Sequence, residues 1–263
     1  MPELPEVETV RKQLDKVLTG QRFRKIKVLN KKSLQGETLK IIGKKILGVK
    51  RKAKMIWIDL EGENKLLIHL KMTGQLLING EVGKHTRVII QLSKNKVIFN
   101  DLRLFGWIKV VNSKKLEQHL AKLPPDAVDK EFTVKYLEKV LKGSKRAIKL
   151  ILLDQSKIGG LGNIYVNEAL FCAGINPTRK FSDYGKRLRR LHACIKKILR
   201  LGIKYGGTTA SDEKFLDIFG KPGKAQKHLK VYENNGRCYQ CKSEIKKIKL
   251  GGRGTYYCPQ CQK

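Results

Sequence analysis

The chain of 263 residues is predicted to be a multidomain α+β protein: a β-rich N-terminal part, a helical part, and a short cysteine-bearing tail. Three observations predict it. Residues 23–111 carry short β-branched and apolar runs separated by turn-forming stretches, with no helical run between them, which points to an antiparallel sandwich or barrel. Beyond Pro124-Pro125-Asp126 the apolar residues recur at helical spacing instead. Near the end, Cys238 and Cys241 form a C-x2-C pair, and after sixteen residues Cys258 and Cys261 repeat it.

In chain order, the first element is a helix. Val7, Val10, Leu14, Val17 and Leu18 share one helical face, Pro5 suits the first turn, Glu6 and Glu8 complement the positive end, and Gly20 can close it. Strands are expected at Phe23 to Leu29, Met55 to Leu60, Leu66 to Leu70, Arg87 to Leu92, Lys96 to Phe99 and Trp107 to Val111, with turns at Glu61 to Asn64 and Asn79-Gly80. Helices are expected over Phe132 to Leu141, over Ile164 to Ala173, and around Leu188, Leu191, Ile195, Ile198 and Leu199. That third helix carries a basic opposite face of Arg187, Arg189, Arg190, Lys196, Lys197 and Arg200, which reads as solvation or as polyanion contact. A loop-rich stretch runs from Gly206-Gly207 to Gly223. The expected domains are residues 1–125, 126–228 and 229–263.

Composition narrows the partners. Lysine and arginine number 57 against 23 acidic residues, a formal charge of +34, which suits a polyanion. No apolar run approaches the roughly 18 residues that span a bilayer, and the start lacks a signal-peptide core. Nucleic acid is therefore the expected partner, with no membrane and a cytoplasmic, nucleoid-associated location.

Pro2 behind the initiator Met1 carries a chemical possibility beside its place before a helix. Removing Met1 leaves a secondary amine, and an α-amino group with an ordinary pKa of about 7.7 to 8 is partly neutral at pH 7. A neutral amine can attack an electrophilic carbon and form a Schiff base. Glu3, beside it, is placed to donate a proton. The two C-x2-C knuckles can bring four thiolates onto one structural zinc, whose binding supplies folding energy to a short segment. Cys172 and Cys194, on predicted helices, are expected to be separate small buried residues. Between the knuckles, Lys246 to Thr255 alternates and turns on Gly251-Gly252, so Arg253 is expected at a hairpin tip. Lys157 to Asn163 brings glycines up to a helix start, an anion nest that Asn163 can cap or extend as a donor. It lacks the dinucleotide and Walker A patterns, so no nucleotide or redox cofactor is expected. Arg103 and Phe105, in Asp101 to Gly106, can present a cation and an apolar wedge together, and Met72 stands in His69 to Gly74.

Taken jointly and in this order, Pro2-Glu3-Leu4-Pro5-Glu6, Ala53-Lys54, His69 to Gly74, Asp101 to Gly106, Gly160 to Tyr165 and the tail ending Cys258-Pro259-Gln260-Cys261 resemble the formamidopyrimidine-DNA glycosylase family. Its members excise oxidised purines and cut the strand at the abasic site. The resemblance covers essentially the whole chain. It implies a β-sandwich, a helix-two-turn-helix domain and a zinc-finger hairpin, acting as a monomer on damaged double-stranded DNA. It assigns Pro2 as nucleophile, Glu3 as proton donor, Lys54 as the acid of β-elimination and Arg253 as that of δ-elimination. His85, Arg103, Lys145 and Asn163 match DNA-contacting positions, and Met72, Arg103 and Phe105 the trio that fills the void left by the extruded nucleotide. Lys224 stands where many relatives carry an aromatic, and Leu104 where a basic residue is frequent, which opens the question of base preference. The related endonuclease VIII branch, which takes oxidised pyrimidines, usually has glycine where this chain has Leu4.

Overall fold

The computed structural model describes residues 1–180, 185–210 and 215–263. The chain folds into two compact units, Met1–Lys122 with Tyr205–Lys224, and Leu123–Lys204 with Ala225–Lys263. Residues 211–214, within the loop-rich stretch after Gly206, lie outside the described residues.

Unit one begins with helix α1 (Leu4–Leu18), which buries Val7, Val10, Leu14 and Leu18 of the expected stripe and Leu4 besides, while Val17 is half-buried against the same core. Nine strands follow: β1 (Phe23–Val28), β2 (Leu34–Gln35), β3 (Ile46–Lys52), β4 (Met55–Leu60), β5 (Asn64–His69), β6 (Gly74–Ile78), β7 (Thr86–Leu92), β8 (Lys96–Asp101) and β9 (Trp107–Asn112). They form a four-stranded sheet, β1-β7-β8-β6, and a five-stranded sheet, β2-β9-β5-β4-β3. Inner-face residues of both sheets, among them Ile58, Ile68, Leu76, Ile90 and Phe99, share one core with the apolar stripe of α1. Each such side chain contributes about 1.5 to 3 kcal/mol on full burial. The pairing is antiparallel except that β2 runs parallel to β9. Helix α2 (Ser113–Ala121) packs on β5 and β9, and Leu67 is buried on the face opposite Leu66 and Ile68.

The six expected strands fall within two residues of their observed bounds. Strands β2, β3 and β6 escape the pattern, β2 because it is only two residues long. In β3 only Ile46 and Val49 are buried, because a register shift between Ile46 and Gly48 breaks the alternation.

Unit two contains α3 (Val134–Leu141), α4 (Ile148–Leu152), α5 (Asn163–Ala173) and α6 (Lys186–Lys204), then the hairpin β10 (Lys246–Leu250) and β11 (Arg253–Tyr257). Thr133 caps α3 by accepting the Tyr136 N–H, and Gly174 ends α5 in the left-handed conformation. Helix α6 buries Leu188, Leu191, Cys194, Ile195 and Leu199 against α5 and α3. Of its basic face, Arg190 bonds the Cys172 carbonyl and Lys196 the Asp129 carbonyl. Arg187, Arg189, Lys197 and Arg200 stand exposed.

One expectation is corrected. Cys172 and Cys194 are not separate residues but a disulfide that joins α5 to α6. Helix spacing places each on an apolar face, and only the packing of the two faces shows that the sulfurs meet. The bond closes a sequence separation of 22 residues, for which loss of unfolded-state entropy gives about 3 kcal/mol. Denatured, unreduced, metal-free protein should therefore titrate four thiols and fully reduced protein six. Six thiols before reduction would contradict the bond.

Candidate nucleic acid interface and catalytic site

The start of α1 is built around Glu6. Its buried carboxylate accepts the Glu3 N–H at 2.8 Å through one oxygen and the Thr208 N–H at 2.7 Å through the other. This anchors the chain just behind Pro2, which is itself buried, while Glu3 is only 2% exposed. Pro2 enters the wall of an open cavity of about 550 Å³ together with Met72, His85, Arg103 and Phe215. The positive end of α1 begins at Leu4, two residues on.

Lys54 sits in the turn between β3 and β4, after Ala53 in the left-handed region. The turn is tied to α1 because Arg51 donates to the Ala53 carbonyl at 2.8 Å and pairs with Glu8 at 2.9 Å. Burial works against the Glu8 charge, but hydrogen bonds from Arg11 and Arg51 hold its carboxyl below the usual range. Opposite Met55 in the sheet is His69, whose Nδ1 accepts the Lys71 N–H at 3.0 Å. Burial first, then the charges of Lys71 and Lys54, push this imidazole down to about 3. A neutral histidine thus lies within the field of Lys54. Met72 and Phe105 project from neighbouring loops, 42% and 51% exposed, and the Arg103 guanidinium stacks on the Phe105 ring at 4.9 Å.

Unit two carries the other residues. Arg253 is exposed at the tip of the β10–β11 hairpin, as expected. Gly251 is required there, since it has positive φ and a Cβ would lie 2.5 Å from the Leu150 side chain. The hairpin is rooted by Lys149, a fully buried cation. Its ammonium donates to the Gly254 carbonyl at 2.8 Å, the Thr255 hydroxyl at 2.7 Å and Asn167 Oδ1 at 3.3 Å. Asn163 is the first residue of α5 rather than its cap, which is Gly162, and its amide donates to the Gly254 carbonyl at 3.1 Å. Lys145 is exposed in the loop before α4. Glu168 is buried and accepts the N–H groups of Lys230, Val231 and Tyr232 at 2.8 to 2.9 Å, fixing the start of the tail. Burial pushes its carboxyl up, against the pull of those three bonds.

The thiols of Cys238, Cys241, Cys258 and Cys261 lie within 4.8 Å of one another, with Cys241 to Cys258 at 3.4 Å and Cys238 to Cys261 at 3.9 Å. A zinc–sulfur bond of about 2.3 Å gives a tetrahedron with sulfur–sulfur edges of about 3.8 Å. The four thiols fit one structural zinc. Hydrogen bonds from Ser243 already hold the Cys241 thiol down to about 6.

The structure therefore gathers Pro2, Met72, His85 and Arg103 at one cavity of unit one, with Glu3 and Phe105 adjoining in sequence. Sequence reading missed Glu6, Lys149, Glu168 and Phe215. A lone lysine inside the apolar run Ile148 to Leu152 was the one available signal, because a charge there must be paired.

The chain is similar to known proteins over its whole length. The family model described as formamidopyrimidine-DNA glycosylase N-terminal domain matches residues 1–108, the H2TH domain of the same glycosylase matches 123–214, and a zinc finger found in FPG and IleRS matches 236–263. A Carboxydothermus hydrogenoformans protein named formamidopyrimidine-DNA glycosylase is 37% identical, with 100% of each chain covered. Two Lactococcus lactis Fpg structures, each 33% identical with 100% of both chains covered, also match. One is a variant in complex with Fapy-dG DNA, with a TM-score of 0.92. The other is the wild-type protein with DNA containing an oxidised pyrimidine, with a TM-score of 0.90.

Two outcomes follow from the geometry. Metal analysis of folded protein should find about one zinc per chain, and chelation should unfold the tail, seen as new protease cleavage confined to residues 229–263. For His69, the folded imidazole binds its proton only near pH 3 and the unfolded one near 6.5. Between those values the unfolded state binds more protons, so stability is full above pH 6.5 and declines as pH falls toward 3. Urea midpoints measured against pH should decline less steeply for His69→Asn.

Proposed function

The chain belongs to the formamidopyrimidine-DNA glycosylase family and is a base-excision-repair DNA glycosylase and AP lyase; on that premise we propose that it excises oxidised purines from duplex DNA through a Schiff base on Pro2. The observation that carries this is Pro2 in the wall of the 550 Å³ cavity, with the Glu3 N–H directly behind it held by Glu6.

A base stacked in a duplex is out of reach of a protein amine, so the nucleotide must be extruded, at a cost of a few kcal/mol that damage lowers. Phe105, Met72 and Arg103 fill the void. With Met1 removed, the Pro2 nitrogen attacks the sugar C1′ and the bond from C1′ to the base breaks, the base leaving with its electron pair and taking up the proton that the Pro2 nitrogen sheds. Glu3 supplies a proton to the opening sugar ring, and the C1′–nitrogen link becomes an iminium. The iminium acidifies the adjacent sugar C–H. Loss of that proton expels the 3′ phosphate with Lys54 as acid, and a second elimination expels the 5′ phosphate with Arg253 as acid. His85, Lys145 and Asn163 contact the DNA. Asn163 keeps one amide N–H beyond the one given to Gly254.

Borohydride trapping on lesion-containing duplex, with protein verified to begin at Pro2, should yield a covalent adduct. Its absence would sink the Schiff-base step. Glu3→Gln should lose base excision by at least about a hundredfold while binding lesion duplex normally, and a near-normal excision rate would refute the role of Glu3. Paired duplexes carrying 8-oxoguanine or thymine glycol test the substrate: a strong preference for thymine glycol would favour the pyrimidine-lesion reading.

A further inference from the structure

The two loops that carry Met72 and the Arg103–Phe105 pair are far apart in sequence, yet one buried carboxylate binds both. Asp101, at the end of β8, is 0% exposed. Its Oδ1 accepts the Thr73 hydroxyl at 2.5 Å and the Arg103 N–H at 3.2 Å, and its Oδ2 accepts the Gly106 N–H at 2.7 Å. The Thr73 oxygen in turn accepts the Arg103 N–H at 3.0 Å. The Asp101 main chain continues the connection, because its N–H donates to the His85 carbonyl at 2.9 Å and its carbonyl accepts from Arg87 at 2.8 Å.

Both loops hold a residue in the left-handed region next to the exposed tip, Lys71 with φ 53° and Leu104 with φ 59°. Such backbone is costly for a residue with a side chain and persists only where its surroundings hold it. Gly106 leaves no slack, since a Cβ there would stand 2.8 Å from Phe99 and 3.1 Å from Asp101 Oδ2. An ionised carboxylate can only accept, and every group turned toward it is a donor.

We infer that Asp101 and Thr73 are positioning residues that lock the Met72 loop to the Arg103–Phe105 loop, so that all three side chains enter the duplex as one preset wedge. This rests on the proposed wedge role of those side chains. An extruded nucleotide leaves a gap that must be filled while it is open. Loops ordered only at that moment would pay their ordering entropy there, whereas the carboxylate has already fixed them.

The test separates extrusion from chemistry. Single-turnover excision is measured on a duplex with one 8-oxoguanine and a neighbouring 2-aminopurine, whose fluorescence rises when the stack opens. Strand cleavage is measured in parallel on single-stranded DNA with an abasic site, where no base must leave a stack. Thr73→Val keeps the side-chain shape and removes the hydroxyl. It should slow both the fluorescence phase and duplex excision by about tenfold, less than the roughly hundredfold that a misplacement of reacting groups by about 1 Å costs, and leave single-strand cleavage within about twofold. Thr73→Ser should restore the duplex rates. Asp101→Asn, which turns an amide N–H toward donors, should behave like Thr73→Val or worse if circular dichroism shows it folded. Phe105→Ala is the control for the wedge itself. If Phe105→Ala leaves the fluorescence phase unchanged, the wedge reading fails. If Phe105→Ala slows that phase and Thr73→Val does not, or if Thr73→Val slows both substrates equally, the lock is wrong and the wedge reading stands.

Discussion

A charge removed from water must find a partner for each of its polar atoms, or it costs several kcal/mol, and this requirement organises the working parts of the chain. Glu6 satisfies it with the N–H groups of Glu3 and Thr208, Asp101 with those of Arg103 and Gly106 and the Thr73 hydroxyl, and Glu168 with three successive N–H groups of the tail. Lys149 does the same in reverse, giving its protons to a carbonyl, a hydroxyl and an amide oxygen. The three carboxylates bind groups of loops and of the α1 start, whereas Lys149 binds strand β11 and helix α5. The segments held are those that carry Pro2 and Glu3, Met72 and Phe105, Arg253 at the start of β11, and the zinc-binding tail.

An apolar residue in these places could pack as well, and replacing buried charges with apolar groups is often neutral or stabilising. It would not dictate which N–H points where. A carboxylate with two or three donors sets the course of the loop around it, and the loop sets the direction of its exposed side chain. Buried acids are therefore used inward while basic residues cover the outside. Surface ion pairs such as Arg22 with Glu61 contribute about 0 to 1 kcal/mol each. The surplus of +34 serves long-range attraction to a polyanion rather than stability.

Much of this was legible in the residues. The six expected strands stand out because inward and outward residues alternate, and α1 and α6 because their apolar stripes are continuous. The four thiols are legible because a repeated C-x2-C spacing has few other uses. What escaped did so for local reasons. Strand β3 carries a bulge that interrupts alternation, β6 is only five residues long, and α4, also of five residues, is too short to show a helical stripe. The disulfide between Cys172 and Cys194 was invisible because each cysteine alone looks like a small core residue. Glu6 and Glu168 look like ordinary helix-surface acids, and nothing local tells which N–H groups they collect.

By itself the sequence determined the element types, the order of β part, helical part and cysteine tail, the metal-binding spacing, and the chemistry available at Pro2. These depend on periodicity, residue chemistry and short spacings, all of which are local. The tertiary structure alone decided that Pro2, Met72, His85 and Arg103 share one cavity, that Lys149 holds the hairpin of Arg253, and that Asp101 joins two loops about thirty residues apart. Those facts depend on donors and acceptors distant in the chain meeting at one buried charge, and no spacing in the sequence records that meeting.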